Sequence, residues 1–374
     1  MASPKLAFIK LWSFSHTNQI VIDGLTKCFP SYEIDVIDVG HLAKRRSIPN
    51  LMSIGWFYGF DILRGTRKIS TCAWRTPYIY WQIKEAVKRE LQKENYRFTF
   101  QTQSMFDGSI SGTPHFIYTD NTHLAQLDYP YIKKEDIGHR SWLKLERMIY
   151  ENARLVFTMS SNVSRSIVER YSFNPEKAVC VYVGSNADMP TKVALNTDKY
   201  GSKNILFVGV YWERKGGPVL AEAFKEVLKV HPDAQLTIVG CSPELHIKNC
   251  SVVGRVSLQE VSNYYENACV FCLPTLMEPF GIVFIEAMNH RLPVVGTNFA
   301  AMPDFISHGE NGYMIEPGNV KQLADALIDL VGNKHKCQEF GENGNRIVME
   351  KYTWDKTFER IRENIESVLS DPAS

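Results

Sequence analysis

The chain is easier to place by what it lacks. None of its apolar runs approaches the roughly 20 residues that a helix needs to span a bilayer, so helical membrane spans are excluded. The N-terminal stretch MASPKLAFIKLW has a short apolar patch without the basic, apolar and small-residue layout of a secretory signal, and a cytoplasmic location is expected. There is no G-x-x-x-x-G-K-[ST] loop and no G-x-G-x-x-G turn, so neither phosphate-binding fingerprint is available. No D-x-D pair sits at a plausible strand end, and neither an essential metal nor a cofactor is expected. Internal repeats, low-complexity tracts and nucleic-acid motifs are also missing, and a nucleic-acid partner is not expected. The eight cysteines lie mostly inside apolar runs. The C-x-x-C spacing of Cys269 and Cys272 admits a zinc or redox reading. In an extended segment, however, the two side chains would point to opposite faces, and buried thiols are the expectation.

What is present is ordinary for a soluble globular chain: 374 residues, 44% hydrophobic, 22% charged, net charge +1. That length suits two domains. Short apolar runs alternate with amphipathic helical segments. The runs are KLAFIKLW, EIDVIDVG, FTFQTQS, PHFIYTD, RLVFTMS and AVCVYVG, then NILFVGV, AQLTIVG, SVVGRV, CVFCLPT and PVVGTN. Runs apolar on both faces, alternating with helices, predict parallel sheets covered by helices. The rhythm breaks at SNADMPTKVALNTDKYGSKN, which is polar and turn-rich. The expected organisation is therefore a doubly wound domain over 1–186, a linker over 187–203, a second such domain over 204–352, and a terminal helix over 353–374 that is a candidate to cross back. In open α/β sheets ligands bind beyond the carboxyl ends of the strands, so chemistry is sought there.

Two stretches in the second half have that placing. After NILFVGV comes YWERKGG, where Gly216 and Gly217 open a helix and Arg214 and Lys215 set cations beside its first amides. A diphosphate would suit the place, although ERK alone also reads as a solvated turn. After CVFCLPT comes MEPFGIVFIEAM, in which Glu278 and Glu286 stand among apolar residues. A carboxylate in such surroundings needs hydrogen-bond partners. Pro279 ends the extended segment, and Phe280, Gly281 and Ile282 would offer free amides at a helix start. Two glutamates along one strand-to-helix turn would grip two hydroxylated rings.

The run FVGVYWERKGG followed by VVGRVSLQEVSNYYENACVFCLPTLMEPFGIVFIEAMNHRLPVVGTN resembles the retaining GT-B glycosyltransferases of glycosyltransferase family 4 (glycosyl transferases group 1). The resemblance is strong in the second half and looser in the first, at ARLVFTMSSNVSRSIVERY. It implies an α/β GT-B fold, two doubly wound Rossmann-like domains facing a central cleft. It implies that Glu286 accepts from the ribose hydroxyls, that Glu278 binds the transferred sugar beside the Phe280 and Gly281 amides, and that Lys215 neutralises the diphosphate. The segment VGRV, with Gly254, Arg255 and Val256, would touch the base through its backbone. One position departs: the family's Arg after FVG is Val210 here, and Arg214 is the candidate replacement.

In the first half, PHFIYTD leads to Asp120, Thr122 and His123. The family's catalytic-face His falls by count on Asp120, with His123 three residues later, and either is a candidate. The bland alternative makes Asp120 a turn cap and His123 a surface residue. WSFSHTNQ replaces the family's Gly-rich first loop, and Ser13, Ser15, His16 and Asn18 would bind an acceptor or phosphate there, or cap the next helix. Between residues 44 and 97, twelve Lys and Arg face four acids, with aromatics such as Trp56, Phe60 and Trp81 interleaved. That pattern fits an anionic membrane surface, hence a peripheral position on the cytoplasmic face, or equally an aromatic core under solvated charges.

The function expected is transfer of a sugar from a UDP- or GDP-type donor to a lipid, glycan or metabolite hydroxyl, with retention. Three rivals share the fold: a sugar-nucleotide epimerase or hydrolase, a glycoside phosphorylase, and a non-catalytic sugar-nucleotide binding module.

Overall fold

All eleven apolar runs are strands in the computed structural model, which describes residues 3–14, 17–134, 137–186 and 197–370. The chain forms two units, one of Met1–Leu127, Ile132–Tyr182 and Thr357–Ser374, the other of Asp128–Tyr131 and Val183–Lys356.

In the first unit, strands β1 (Lys5–Lys10), β2 (Glu33–Asp38), β3 (Tyr96–Thr102), β4 (His115–Thr119), β5 (Leu155–Thr158) and β6 (Ala178–Cys180) form one parallel sheet, ordered β2-β1-β3-β4-β5-β6. Helices α1 (Thr17–Cys28), α2 (Val39–Leu42), α3 (Ile48–Leu63), α4 (Ile69–Cys72), α5 (Pro77–Leu91), α6 (Arg140–Glu151) and α7 (Ser161–Tyr171) connect them. One face carries an aromatic ladder in which Phe8, Phe100, Phe157 and Phe116 stack at 6.1–6.2 Å. Truncating any of these buried rings to Ala costs about 3–5 kcal/mol. Asp107 is the polar hub of this unit, accepting from Tyr80 (2.9 Å), Lys84 (2.5 Å) and Asn152 (2.7 Å). Although burial of Asp107 works the other way, the Lys84 ammonium foremost, and then the Ser109 hydroxyl, hold its carboxyl below the ordinary range.

The second unit repeats the plan with β7 (Asn204–Val208), β8 (Gln235–Val239), β9 (Cys250–Gly254), β10 (Val270–Leu273), β11 (Val294–Thr297) and β12 (Gly312–Ile315), in the order β12-β11-β10-β7-β8-β9. Its helices are α8 (Gly217–Val230), α9 (Leu258–Glu266), α10 (Ile282–Asn289), α11 (Val320–Val331) and α12 (Lys334–Lys351). Strand β12 escapes a sequence reading because its apolar stretch is only Tyr313, Met314 and Ile315, between a glycine and a Glu-Pro-Gly turn. The final helix α13 (Trp354–Ser370) is divided: Trp354 donates to the Ser185 carbonyl in the second unit (2.9 Å), whereas Phe358 packs over Gly24 in the first.

The expected linker over 187–203 needs revision at its end. Residues 197–203 are docked on the second unit, where Lys199 donates to the His290 carbonyl and Tyr200 to that of Arg291 (2.9 Å). Residues 187–196 lie outside the described residues.

Candidate active site

The second sheet reverses its strand order between β7 and β10, and crossovers leave these neighbours in opposite directions. The residues after both strands therefore meet at one crevice. After β7, Gly216 adopts φ +73 as the N-cap of α8, and a Cβ there would stand 1.8 Å from the Pro274 carbonyl oxygen at the end of β10. Only glycine allows that approach. Gly217 is already the first residue of α8, packed under the Trp212 ring. Glycines also close β7, β8 and β9, with Gly209 donating to the Val239 carbonyl at 2.9 Å and Gly240 to the Gly254 carbonyl at 2.7 Å. Gly254 takes φ +82, while Arg255 beyond it is exposed and Val256 half-buried.

This geometry delivers Lys215 to Glu278. Both are buried, and the ammonium donates to Glu278 Oε2. Burial, and after it the adjacent Arg214 guanidinium, push the Lys215 ammonium down to about 7. Arg214 lies over Tyr211 at 5.0 Å, with its Nε buried and unpartnered. Gly281 caps α10 at φ +88, and the amides of Phe280, Gly281 and Ile282 have no acceptor among the described residues. Phe280 anchors the turn against Phe305, while Pro279 and Ile282 are half-buried. Glu286 is buried one turn into α10, where burial pushes its carboxyl up to about 7 against a 3.1 Å hydrogen bond from the Tyr265 hydroxyl. Each glutamate thus already has a protein donor, Lys215 for Glu278 and Tyr265 for Glu286. Tyr265 was invisible in NYYENACVF because nothing local distinguishes it from the core tyrosine it otherwise is.

In the first unit a cavity of about 150 Å³ opens beyond the ends of β3 and β4, lined by Arg75, Gln103, Asp120, His123, Trp142 and Glu146 among others. Asp120 follows β4 directly and its carboxyl has no partner outside its own residue among the described residues, with burial pushing it up to about 6. It caps no turn among the described residues. His123 is no surface residue. Its Nε2 accepts from the Gly138 amide (2.7 Å), and its own amide donates to the buried Glu146 (2.9 Å). Burial, with Arg75 and Arg67 nearby, pushes the imidazole down to about 3, so it stays neutral with its acceptor nitrogen occupied. Glu146 also receives the Tyr150 and Tyr171 hydroxyls, at 3.1 and 2.5 Å. Arg75, Gln103 and Glu146 were missed in the sequence, and no local motif marks them. Gln103 alone leaves a trace in the structure, a left-handed φ of +68 directly after β3.

Asn18 is tied to the Trp12 carbonyl (2.7 Å) and to Thr102 (2.9 Å), so it holds the first loop in place. Ser15 and His16 lie outside the described residues. The described residues hold no cluster of three metal-ligating side chains, all eight cysteines are free thiols with Cys269 and Cys272 buried, and no described helix is long and apolar enough to cross a membrane.

With this geometry in view, the comparisons are specific. Residues 202–333 match the family model described as Glycosyl transferases group 1, which covers the whole Lys215–Glu278–Glu286 crevice. Sucrose-phosphate synthase from Thermosynechococcus elongatus superposes on 99% of this chain and 100% of its own, with TM-score 0.73 at 16% identity. The fold is GT-B. Another GT-B structure, an Anabaena protein solved with UDP and glucose, covers 97% of this chain and 100% of its own at TM-score 0.66 and 13% identity. Among curated relatives, an uncharacterised glycosyltransferase of Methanocaldococcus jannaschii is 27% identical over 200 residues, 52% of this chain. The chain spans about half of that relative's length, 55%.

Proposed function

We propose that this GT-B protein is a retaining glycosyltransferase that moves a sugar from a nucleoside-diphosphate donor, of the UDP type, to an acceptor hydroxyl. The observation that carries the reading is the pairing of Lys215 with Glu278 at the strand-order reversal of the second sheet, between two helix starts, with Glu286 one turn into α10. The group 1 glycosyltransferase match over the same residues and the UDP-bound GT-B neighbour support it. In this reading Glu286 receives the ribose hydroxyls, Gly254, Arg255 and Val256 line the base, and Glu278 receives the sugar. Lys215, Arg214 and the open amides of α10 take the diphosphate.

The chemistry follows from charge. The bond between the anomeric carbon and the diphosphate oxygen breaks, and its electron pair goes to the diphosphate. Preorganised cations and amides stabilise that charge without solvent reorganisation. The acceptor oxygen bonds the same face of the anomeric carbon, and its proton passes to the departing phosphate oxygen, so no enzyme nucleophile is needed. Asp120, a half-buried carboxylate at the end of β4, would orient the acceptor hydroxyl or the transferred sugar.

Thermal shift with UDP, GDP and ADP, then turnover of the matching donor sugars with NMR of the product's anomeric centre, tests the reading. UDP stabilisation that Glu286→Ala abolishes, and a product of unchanged anomeric configuration, is the expected result. Sugar release without acceptor would indicate a hydrolase. Stabilisation by sugar phosphate alone would indicate a phosphorylase, and nucleotide binding with no turnover a binding module.

A further inference from the structure

Helix α3 is apolar on two faces. Its inner face is fixed: Ile54 and Tyr58 pack with Cys72 and Ala73, the Tyr58 hydroxyl donates to the Arg75 carbonyl (2.6 Å), and Asn50 bonds the Arg45 and Ala73 carbonyls. Its outer face is in solvent. Ile48 (74% exposed), Met52 (71%), Trp56 (84%) and Phe60 (63%) repeat every four residues, and Leu51 and Leu63 (88%) lie on the adjoining row. Gly55 and Gly59 complete that row, with nothing within 4 Å of where a Cβ would stand. Ile69 in α4 is exposed beyond its end. Scattered exposed apolar residues are normal, but a contiguous row of this size marks an interaction surface.

The charges around the row select the partner. Lys44 and Arg46 before it, and Arg64 and Lys68 after it, are exposed. The acid within it, Asp61, is held by Arg67 at 3.0 Å. The Arg64 guanidinium lies 3.9 Å over the Phe60 ring, keeping its charge at the edge of the apolar surface. Sixteen residues at about 1.5 Å each are too short to span a bilayer but suit a helix lying in its interface.

We infer that α3 seats this protein on an anionic lipid surface, its outer row in the acyl boundary and its four flanking cations among the headgroups. The inference is independent of the glycosyl-transfer reading. Flotation of the 374-residue chain with phosphatidylcholine vesicles, with and without phosphatidylglycerol, tests it at low and high salt. Binding to the anionic vesicles, weakened by salt and accompanied by a blue shift lost in Trp56→Phe, is expected. Trp56→Ser with Leu63→Ser should lower the vesicle affinity at least about a hundredfold, since both side chains would be withdrawn from the acyl boundary. Arg46→Glu with Lys68→Glu should lower it mainly at low salt, and unchanged circular dichroism shows that both pairs fold. Absence of binding to anionic vesicles at low salt overturns the inference. So does a dimer that the Trp56→Ser, Leu63→Ser pair dissolves while vesicle binding persists.

Discussion

The two units share one architecture and put it to different use. Both are six-stranded parallel sheets with helical crossovers, and both keep polar residues at the carboxyl ends of their central strands. In the second unit the strand order reverses at β7 and β10, and the chain meets that point with glycines: Gly209, Gly240 and Gly254 end three neighbouring strands, and Gly216 and Gly281 start two helices. At Gly281 the amides of Phe280, Gly281 and Ile282 are left bare among the described residues, whereas at the other start the Gly216 and Gly217 amides already donate to the Glu213 and Trp212 carbonyls, and Lys215 is brought to Glu278 between the two. In the first unit the corresponding strand ends carry side chains instead. Gln103, Asp120, His123 and Glu146 surround a cavity in which most polar atoms already have protein partners. A backbone-lined site suits a ligand part common to many donors, such as a diphosphate. A side-chain-lined site can be specific, because each polar atom must be matched or pay for its burial.

That contrast can be broken most forcefully at Glu278. Glu278→Gln keeps the shape and removes the charge, and turnover should fall about 10²–10³-fold with nucleotide affinity little changed, as is usual when one preorganised transition-state contact is lost. Steady-state kinetics with calorimetric UDP binding would check it, and wild-type turnover would remove Glu278 from the reaction. The same measurements sharpen the first unit. Asp120→Asn should lower turnover with the melting temperature kept, whereas His123→Ala should lower the melting temperature, because it strips the Gly138 amide of its buried acceptor at a cost of about 1–3 kcal/mol.

A second effect is on folding. Gly216→Ala meets both a left-handed φ and the Pro274 carbonyl, and should cost more than about 2 kcal/mol and nucleotide binding with it. Gly112→Ala in the first unit has φ +84 with open space around it, and should cost only the backbone term, about 1 kcal/mol. Denaturant melts of the two variants measure the difference directly.

The smallest effect is on pH. Glu286, raised to about 7, must lose a proton to accept ribose hydroxyls, so nucleotide affinity should fall as pH drops below 7. Lys215, lowered to about 7, must hold a proton to pair with diphosphate, so affinity should also fall as pH rises above 7. Affinity should peak near neutrality, and Glu286→Gln should flatten only the acid limb, by up to about tenfold per pH unit. Calorimetry in buffers of different ionisation heat reads the proton exchange.

Much of this was legible in the chain. The apolar runs gave eleven of the twelve strands among the described residues; the twelfth, β12, has an apolar stretch of only Tyr313, Met314 and Ile315 between a glycine and a Glu-Pro-Gly turn, too short to stand out. MEPFGIVFIEAM marked its own helix start, because proline, glycine and carboxylates act within one turn. The region over 44–97 was legible only as two alternatives, and the structure divides them by residue: Tyr58, Trp74 and Tyr80 are core, while Trp56, Phe60 and Trp81 are exposed.

What the sequence determined by itself is whatever depends on neighbours along the chain: strands, helix starts, the positions that must be glycine, and the spacing of Glu278 and Glu286. Tertiary structure alone decided which side chains meet. Lys215 and Glu278 are 63 residues apart and pair because β7 and β10 are adjacent in the sheet. Tyr265 reaches Glu286, and the ring of His123 is closed off by Gly138, through packing that no local pattern encodes. Backbone preferences act over a few residues, whereas burial and charge pairing are set by strand order, which becomes fixed only when the whole sheet has formed.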